Sequence, residues 1–209
     1  MKRFIAVLLM LIGIGLIVFP HVQKQIYASQ EKQLVEEFQQ LDDLFESQSR
    51  EEIQLHGDDP QGEPNASIES PQLSQNVVGL LHIDKINLTL PLLKGATEEN
   101  LNIGAGILNE TDPLGEVGNT GIAAHRAYKH GRLFNRLDEM RIGDRLTVET
   151  LEGEIKYVVF QTEVVLPNDV SVLKSNAEES IITLITCEPI YNPTHRLIVQ
   201  AKRVSENAS

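Results

Sequence analysis

This chain of 209 residues has a single cysteine, Cys187, so no disulfide can form within it. Basic residues are also scarce: eighteen Lys and Arg face thirty Asp and Glu, for a net charge of −12. The deficit is uneven, with +3 over residues 1–28, −10 over 29–75 and −5 over 76–209. No concentrated basic face exists, which excludes a nucleic-acid partner of the usual electrostatic kind. No internal repeat is present, and no apolar segment closes the chain before Ser209.

One long apolar run does exist. Lys2 and Arg3 precede sixteen uncharged residues, Phe4 to Phe19, ended by Pro20. A spanning helix usually takes about 17–25 apolar residues, and Val22 can extend this run. The basic pair in front predicts a cytoplasmic N-terminus. A cleaved signal would need small residues at its cleavage site, yet near Ala28 the −3 position is Ile26. The expectation is therefore a membrane anchor over residues 1–22, with the rest of the chain outside the cell.

Residues 23–75 read as an acidic connector. Leu34, Phe38, Leu41 and Phe45 recur at helical spacing. They suggest either a stalk helix that packs or lifts the domain, or a solvated, partly ordered helix, the second being favoured. HGDDPQGEPNASIESPQLSQ, 56–75, is polar with three prolines and reads as linker.

From residue 76 the character changes to short runs rich in Val, Ile, Leu and Thr, separated by Gly, Pro, Asn and Asp: VVGLLHI, INLTLPLL, RLTVET, EIKYVVFQTEVVL, IITLITC and RLIVQAKRV. That pattern predicts a mainly β domain over 76–209, closing as a barrel or sandwich. GDRLTVETLEGEIKYVVF predicts a hairpin turning at Glu152-Gly153. Short helices are expected around Glu98–Ile103, Leu133–Met140 and Asp169–Asn176.

The cysteine sits where a strand stops. Along IITLITCEP, Ile181, Thr183, Ile185 and Cys187 share one face, and Pro189 cannot continue a central strand, so the thiol lies at the sheet rim. An unpaired thiol in an exported chain is either free and reactive or bridged to another chain, and buried structural thiols are also common. A reactive one needs a base or cation nearby and donors for an oxyanion. Of the six histidines, His21 and His56 are poorly placed, and His82 lies within an apolar strand. His125 closes the strand-like GIAA, His130 lies in the following loop, and His195 precedes Arg196 at the start of the last strand. In a strand His195 and Arg196 face opposite ways, and Arg196 heads the stripe Arg196, Ile198, Gln200.

TLITC at 183–187, an arginine nine residues later opening a strand, and a histidine closing an earlier strand resemble a sortase, a membrane-anchored cysteine transpeptidase of Gram-positive bacteria. The resemblance spans about Val77 to Val204. It implies an eight-stranded β-barrel with short helices, Cys187 as nucleophile, His125 as general acid/base, and Arg196 orienting substrate and stabilising the oxyanion. Thr186, the backbone N–H of Glu188, and Ala124 would line the site, and the loop from about Val165 to Ser180 would wall the groove. The family usually has glycine before its histidine, whereas this chain has Ala124. The implied substrate is an LPxTG-like sorting signal, the implied acceptor a peptidoglycan-precursor amine. No cofactor is required; calcium binds some members, but Glu110, Asp112 and Glu116 form too ordinary an acidic loop to predict a metal site. The lack of a C-terminal span, and Gln61 after Asp59-Pro60 in place of an aromatic lid, favour class A or class D. Two other readings remain: an L,D-transpeptidase, disfavoured by Glu188-Pro189 after the cysteine, and a non-enzymatic membrane-tethered β module with a structural cysteine.

Overall fold

The computed structural model describes residues 76–128 and 131–204, residues 22–23 and 25–40, and isolated positions between 10 and 19. The expected anchor over 1–22 lies largely, and Leu41, Phe45, the linker 56–75, His21, His56 and His130 lie wholly, outside these residues. Among the described residues no helix is long and apolar enough to cross a membrane.

Eight strands form a closed barrel. They are β1 (Val77–Ile83), β2 (Leu88–Lys94), β3 (Ala105–Ile107), β4 (Gly118–Ala123), β5 (Arg145–Thr150), β6 (Gly153–Val165), β7 (Ser180–Glu188) and β8 (His195–Arg203). Around the barrel the order is β1-β2-β3-β4-β7-β8-β6-β5, with β5 returning to β1. Two neighbouring pairs, β2–β3 and β4–β7, are parallel, and the others antiparallel.

Alternation along the strands builds the core. Ile182 and Leu184 of β7, Leu197, Val199 and Ala201 of β8, and Leu81 and Ile83 of β1 point inward and pack around Tyr157 and Phe134. Each such aliphatic side chain, fully buried, stabilises the fold by about 1.5–3 kcal/mol. Gly79 is required at the β1–β5 seam, because a Cβ there would stand 2.4 Å from the Glu149 carbonyl oxygen.

Three expectations need correction. The hairpin turns at Leu151-Glu152, since Gly153 already pairs with Thr150. Leu133–Met140 and Asp169–Asn176 hold only 3-10 turns, Leu137–Glu139 and Ser171–Leu173. β3 was not expected at all; it is three residues long and fills the gap between β2 and β4.

The connector contributes a docked element. Residues 25–40 form a helix, α1. Phe38, fully buried, and Leu34 pack on Val77, Leu80 and Leu93, which face outward from the barrel. Glu31 receives two hydrogen bonds from Arg132, at 3.2 and 2.8 Å. The favoured expectation of a solvated helix is thus replaced by a packed one over this stretch. The short helix α2, Glu98–Ile103, is as expected, capped by the Thr97 hydroxyl on the Asn100 amide.

Candidate active site

The topology brings three strand termini to one rim. β4 and β7 run parallel, so residues 125 and 187 both leave the barrel at that end; β8 runs antiparallel to β7, so its start lies there too. Cys187 pairs directly with Arg196. Ala123 pairs with Ile185, and the ladder continues with the Ala124 amide on the Ile185 carbonyl at 3.2 Å. His125 lies two residues beyond Ala123 and Cys187 two beyond Ile185, and both line one cleft. With Arg196 paired to Cys187, the three residues form a row along this rim.

They also share the outer face. Ile122 and Ala124 of the β4 segment, Ile182 and Leu184 of β7, and Leu197 and Val199 of β8 face the core, so alternation turns residues 125, 187 and 196 outward. His125 is exposed, while Cys187 and Arg196 are half-buried. His125 and Cys187 line one cleft of about 610 Å³, together with Leu133, Ile190 and Pro193. Tyr27 and Ala28 of α1 line it as well, so the docked connector reaches the thiol's own cleft. At its mouth Tyr128 stacks on Tyr191, with ring centroids 5.2 Å apart.

The other sequence candidates fall into place around the row. Thr186, expected to line the site, lies beneath it: it is 2 % exposed, and its hydroxyl donates to the Ala124 carbonyl at 2.9 Å. Ala124 has its methyl in the core and is not among the residues with positive φ. Glu188 closes β7, and its carbonyl accepts from the Thr194 amide at 3.0 Å. His195 pairs with Glu188, one step off the row, and its Nδ1 lies 2.8 Å from the Thr194 hydroxyl. His82 is elsewhere, bonded to Glu149 at 2.7 Å on the β1–β5 surface.

Two arginines flank the thiol and differ sharply. Arg196 donates to the His195 carbonyl at 3.0 Å and has no carboxylate partner among the described residues, which leaves N–H donors for a ligand. Arg126, with a 7 % exposed side chain, is ion-paired to Glu188 and to Asp138, the latter at 3.1 Å. It also donates to the Cys187 carbonyl at 3.4 Å. Sequence reading missed Arg126, whose only signal was its place next to His125.

The same outer face continues away from the row. Asn119, Thr183 and Gln200 form a polar floor on β4, β7 and β8. The Val172 carbonyl, in the loop between β6 and β7, accepts from Asn119 and Gln200 at 2.9 Å each. Thr183 donates to Asn119 at 2.7 Å. This loop, expected to wall a groove, is thereby fastened over the strands that carry the row. Among the described residues no three His, Cys, Asp or Glu side chains converge on a possible metal position. Asp112 instead accepts from the Asn119 amide at 2.7 Å.

A family model for the sortase domain matches residues 81–204. The chain belongs to the sortase family. Sortase A of Bacillus anthracis is 29% identical over 205 residues, covering 98% of this chain and 95% of that protein. Sortase D of Bacillus subtilis (strain 168) is 31% identical over 130 residues, 61% of this chain and 64% of that protein. The crystal structure of sortase C1 from Streptococcus agalactiae superposes with a TM-score of 0.60 at 33% identity, covering 64% of this chain and 70% of that one. Sortases are cysteine transpeptidases that act in cell-wall sorting, and this chain is one of them. At the barrel rim a thiol and an imidazole line one cleft, and the thiol's strand partner is a guanidinium with no carboxylate partner among the described residues.

Proposed function

We propose that this sortase cleaves an LPxTG-like sorting signal after its threonine and transfers the acyl group to an amine of a peptidoglycan precursor. The observation that carries the reading is the row His125, Cys187, Arg196 on the outer face of β4, β7 and β8. Cys187, as thiolate, attacks the threonine carbonyl carbon, and the carbonyl electrons move onto oxygen. Arg196 and the backbone N–H of Glu188 stabilise that oxyanion. His125 protonates the departing amine as the tetrahedral intermediate collapses to a thioester. The incoming amine gives its proton to the same imidazole and forms the new amide, releasing the thiol. Ala124 and Thr186 support this site from the β4 and β7 backbones.

The chain is further proposed to be held at the outer face of the cell membrane by residues 1–22, with residues 76–209 as the catalytic domain. Tethering places enzyme, exported substrate and lipid-linked acceptor on one surface, which raises their effective concentration. A class A or class D assignment accords with curated relatives named sortase A and sortase D.

The test is a panel of fluorescent LPxTG, LPxTA and LPxTS peptides, incubated with and without an amine acceptor. Cleavage after threonine should vanish in Cys187→Ala, His125→Ala and Arg196→Ala and survive in His195→Ala. Loss in His195→Ala with activity kept in His125→Ala would overturn the choice of base. Cleavage by Cys187→Ala would overturn the mechanism.

A further inference from the structure

The β4–β7 ladder ends before it reaches the catalytic row. Its last pair is Ala123 with Ile185, followed by the Ala124 amide on the Ile185 carbonyl and the Thr186 hydroxyl on the Ala124 carbonyl, with no ladder bond at His125 itself. Something other than sheet hydrogen bonding must hold the segment carrying His125 against the strand end carrying Cys187.

Arg126 occupies that position. In extended backbone consecutive side chains point opposite ways: His125 turns outward and is exposed, while Arg126 turns in and is nearly buried. Its guanidinium reaches across to the end of β7, donating to the Cys187 carbonyl and pairing with the Glu188 carboxylate. A second arm reaches Asp138 in the 3-10 turn Leu137–Glu139. The loop between folds back on itself, with the Phe134 amide donating to the His125 carbonyl at 3.1 Å. One planar fork thus joins three segments: the one that bears the imidazole, the one that bears the thiol, and the turn that closes the loop between.

We infer that Arg126 is a positioning residue for the transpeptidation, a clamp that sets the His125 imidazole opposite the Cys187 thiol through Glu188 and the Cys187 carbonyl. Its charge is matched by two carboxylates, so it is not a second oxyanion donor; that separates its role from that of Arg196. Geometry at this level matters because a displacement of about 1 Å in a catalytic constellation can lower a rate by about 10²-fold. Lysine keeps the charge but cannot fork to two acceptors, so it should restore only part of the function. The inference rests on the catalytic reading of the row proposed above.

The experiment compares full-length wild type, Arg126→Met, Arg126→Lys, Glu188→Gln, Asp138→Asn and the double variant Arg126→Met/Glu188→Gln. Peptide kcat and KM are measured per titrated thiol, alongside thermal unfolding and the rate of Cys187 alkylation by iodoacetamide. Arg126→Met is expected to lower kcat about 10²-fold with KM within about twofold, a split that reduced folding would not produce after thiol titration. Arg126→Lys and Glu188→Gln should fall between that variant and wild type, and the double variant should be no worse than Arg126→Met. Wild-type kcat in Arg126→Met, or effects of Arg126→Met and Glu188→Gln that multiply, would overturn the clamp. Should Arg126→Met fail to fold, wild-type kcat in both Glu188→Gln and Arg126→Lys would do so. Should wild type process no peptide, the catalytic reading fails on its own. The alkylation rate then decides the clamp: a changed rate in Arg126→Lys supports it, and an unchanged rate overturns it.

Discussion

Cys187 and Arg196 are direct partners across the β7–β8 ladder, the last residue but one of the first strand facing the second residue of the other. A thiol and a guanidinium so placed share the barrel's outer face without depending on a flexible loop. Both backbones are held by the sheet at this pair. Replacing Arg196 by methionine should lower kcat by about 10²–10³-fold, the usual loss for a missing oxyanion donor. Arg196→Lys should recover part of this, since charge remains but the fork is lost. Steady-state kinetics on the best peptide of the panel checks both.

Thr186→Val tests the link beneath the row. The change keeps the shape but leaves the buried Ala124 carbonyl without its 2.9 Å donor. An unsatisfied buried acceptor costs about 1–3 kcal/mol. Thermal unfolding should shift down by several degrees, and kcat should fall with it because Ala124 precedes His125. An unchanged melting temperature would show that the hydroxyl contributes nothing.

Helix α1 should be releasable without unfolding the barrel. Phe38→Ala removes the fully buried anchor of α1, a change that typically costs about 3–5 kcal/mol in a packed core. The barrel's own core lies on the opposite side of β1 and β2 and does not include Phe38. Hydrogen exchange should therefore accelerate over residues 25–40 while protection in β7 and β8 persists. Uniform acceleration across all strands would contradict this separation.

Acid sensitivity should trace in part to Asp112. The Ser175 hydroxyl and the Asn119 amide donate to its carboxylate and hold its pKa below the ordinary 3.8. A depressed folded-state pKa contributes stability that is complete above 3.8 and is lost as pH falls through the lower folded value. Asp112→Asn should flatten the stability-versus-pH curve in that acidic window only. Gly118 has φ of +143°, and an added Cβ would stand 2.5 Å from Asp112, so Gly118→Ala should disturb the same contact. Denaturant titrations at a series of pH values check both variants.

The strands were legible because each buries one face and the periodicity of two survives in the residues. β1 and β5 match the expected runs residue for residue, and β7 and β8 differ by one residue at their ends. β3 was illegible because Ala105-Gly106-Ile107 is too short to show a period and carries glycine where backbones approach closely. The docking of α1 was missed because an amphipathic stripe does not say what covers it; Leu34 and Phe38 find their partners only once Leu80 and Leu93 are known to face outward. The row itself could be seen, since a polar residue at the end of an apolar run is a local signal three times over. Arg126 could not, because its meaning depends on Glu188 and Asp138, sixty-two and twelve positions away in the chain.

The most direct test of the central claim is to look for the acyl-enzyme. Full-length protein would be mixed with an LPxTG peptide without acceptor amine, quenched in acid and measured by intact mass, then digested to locate the adduct. The account predicts a mass increase equal to the peptide fragment ending in threonine less one water, on Cys187, removed by hydroxylamine and accumulating more slowly in Arg196→Met. Peptide cleavage with no adduct on Cys187, or an adduct on any other residue, would contradict it.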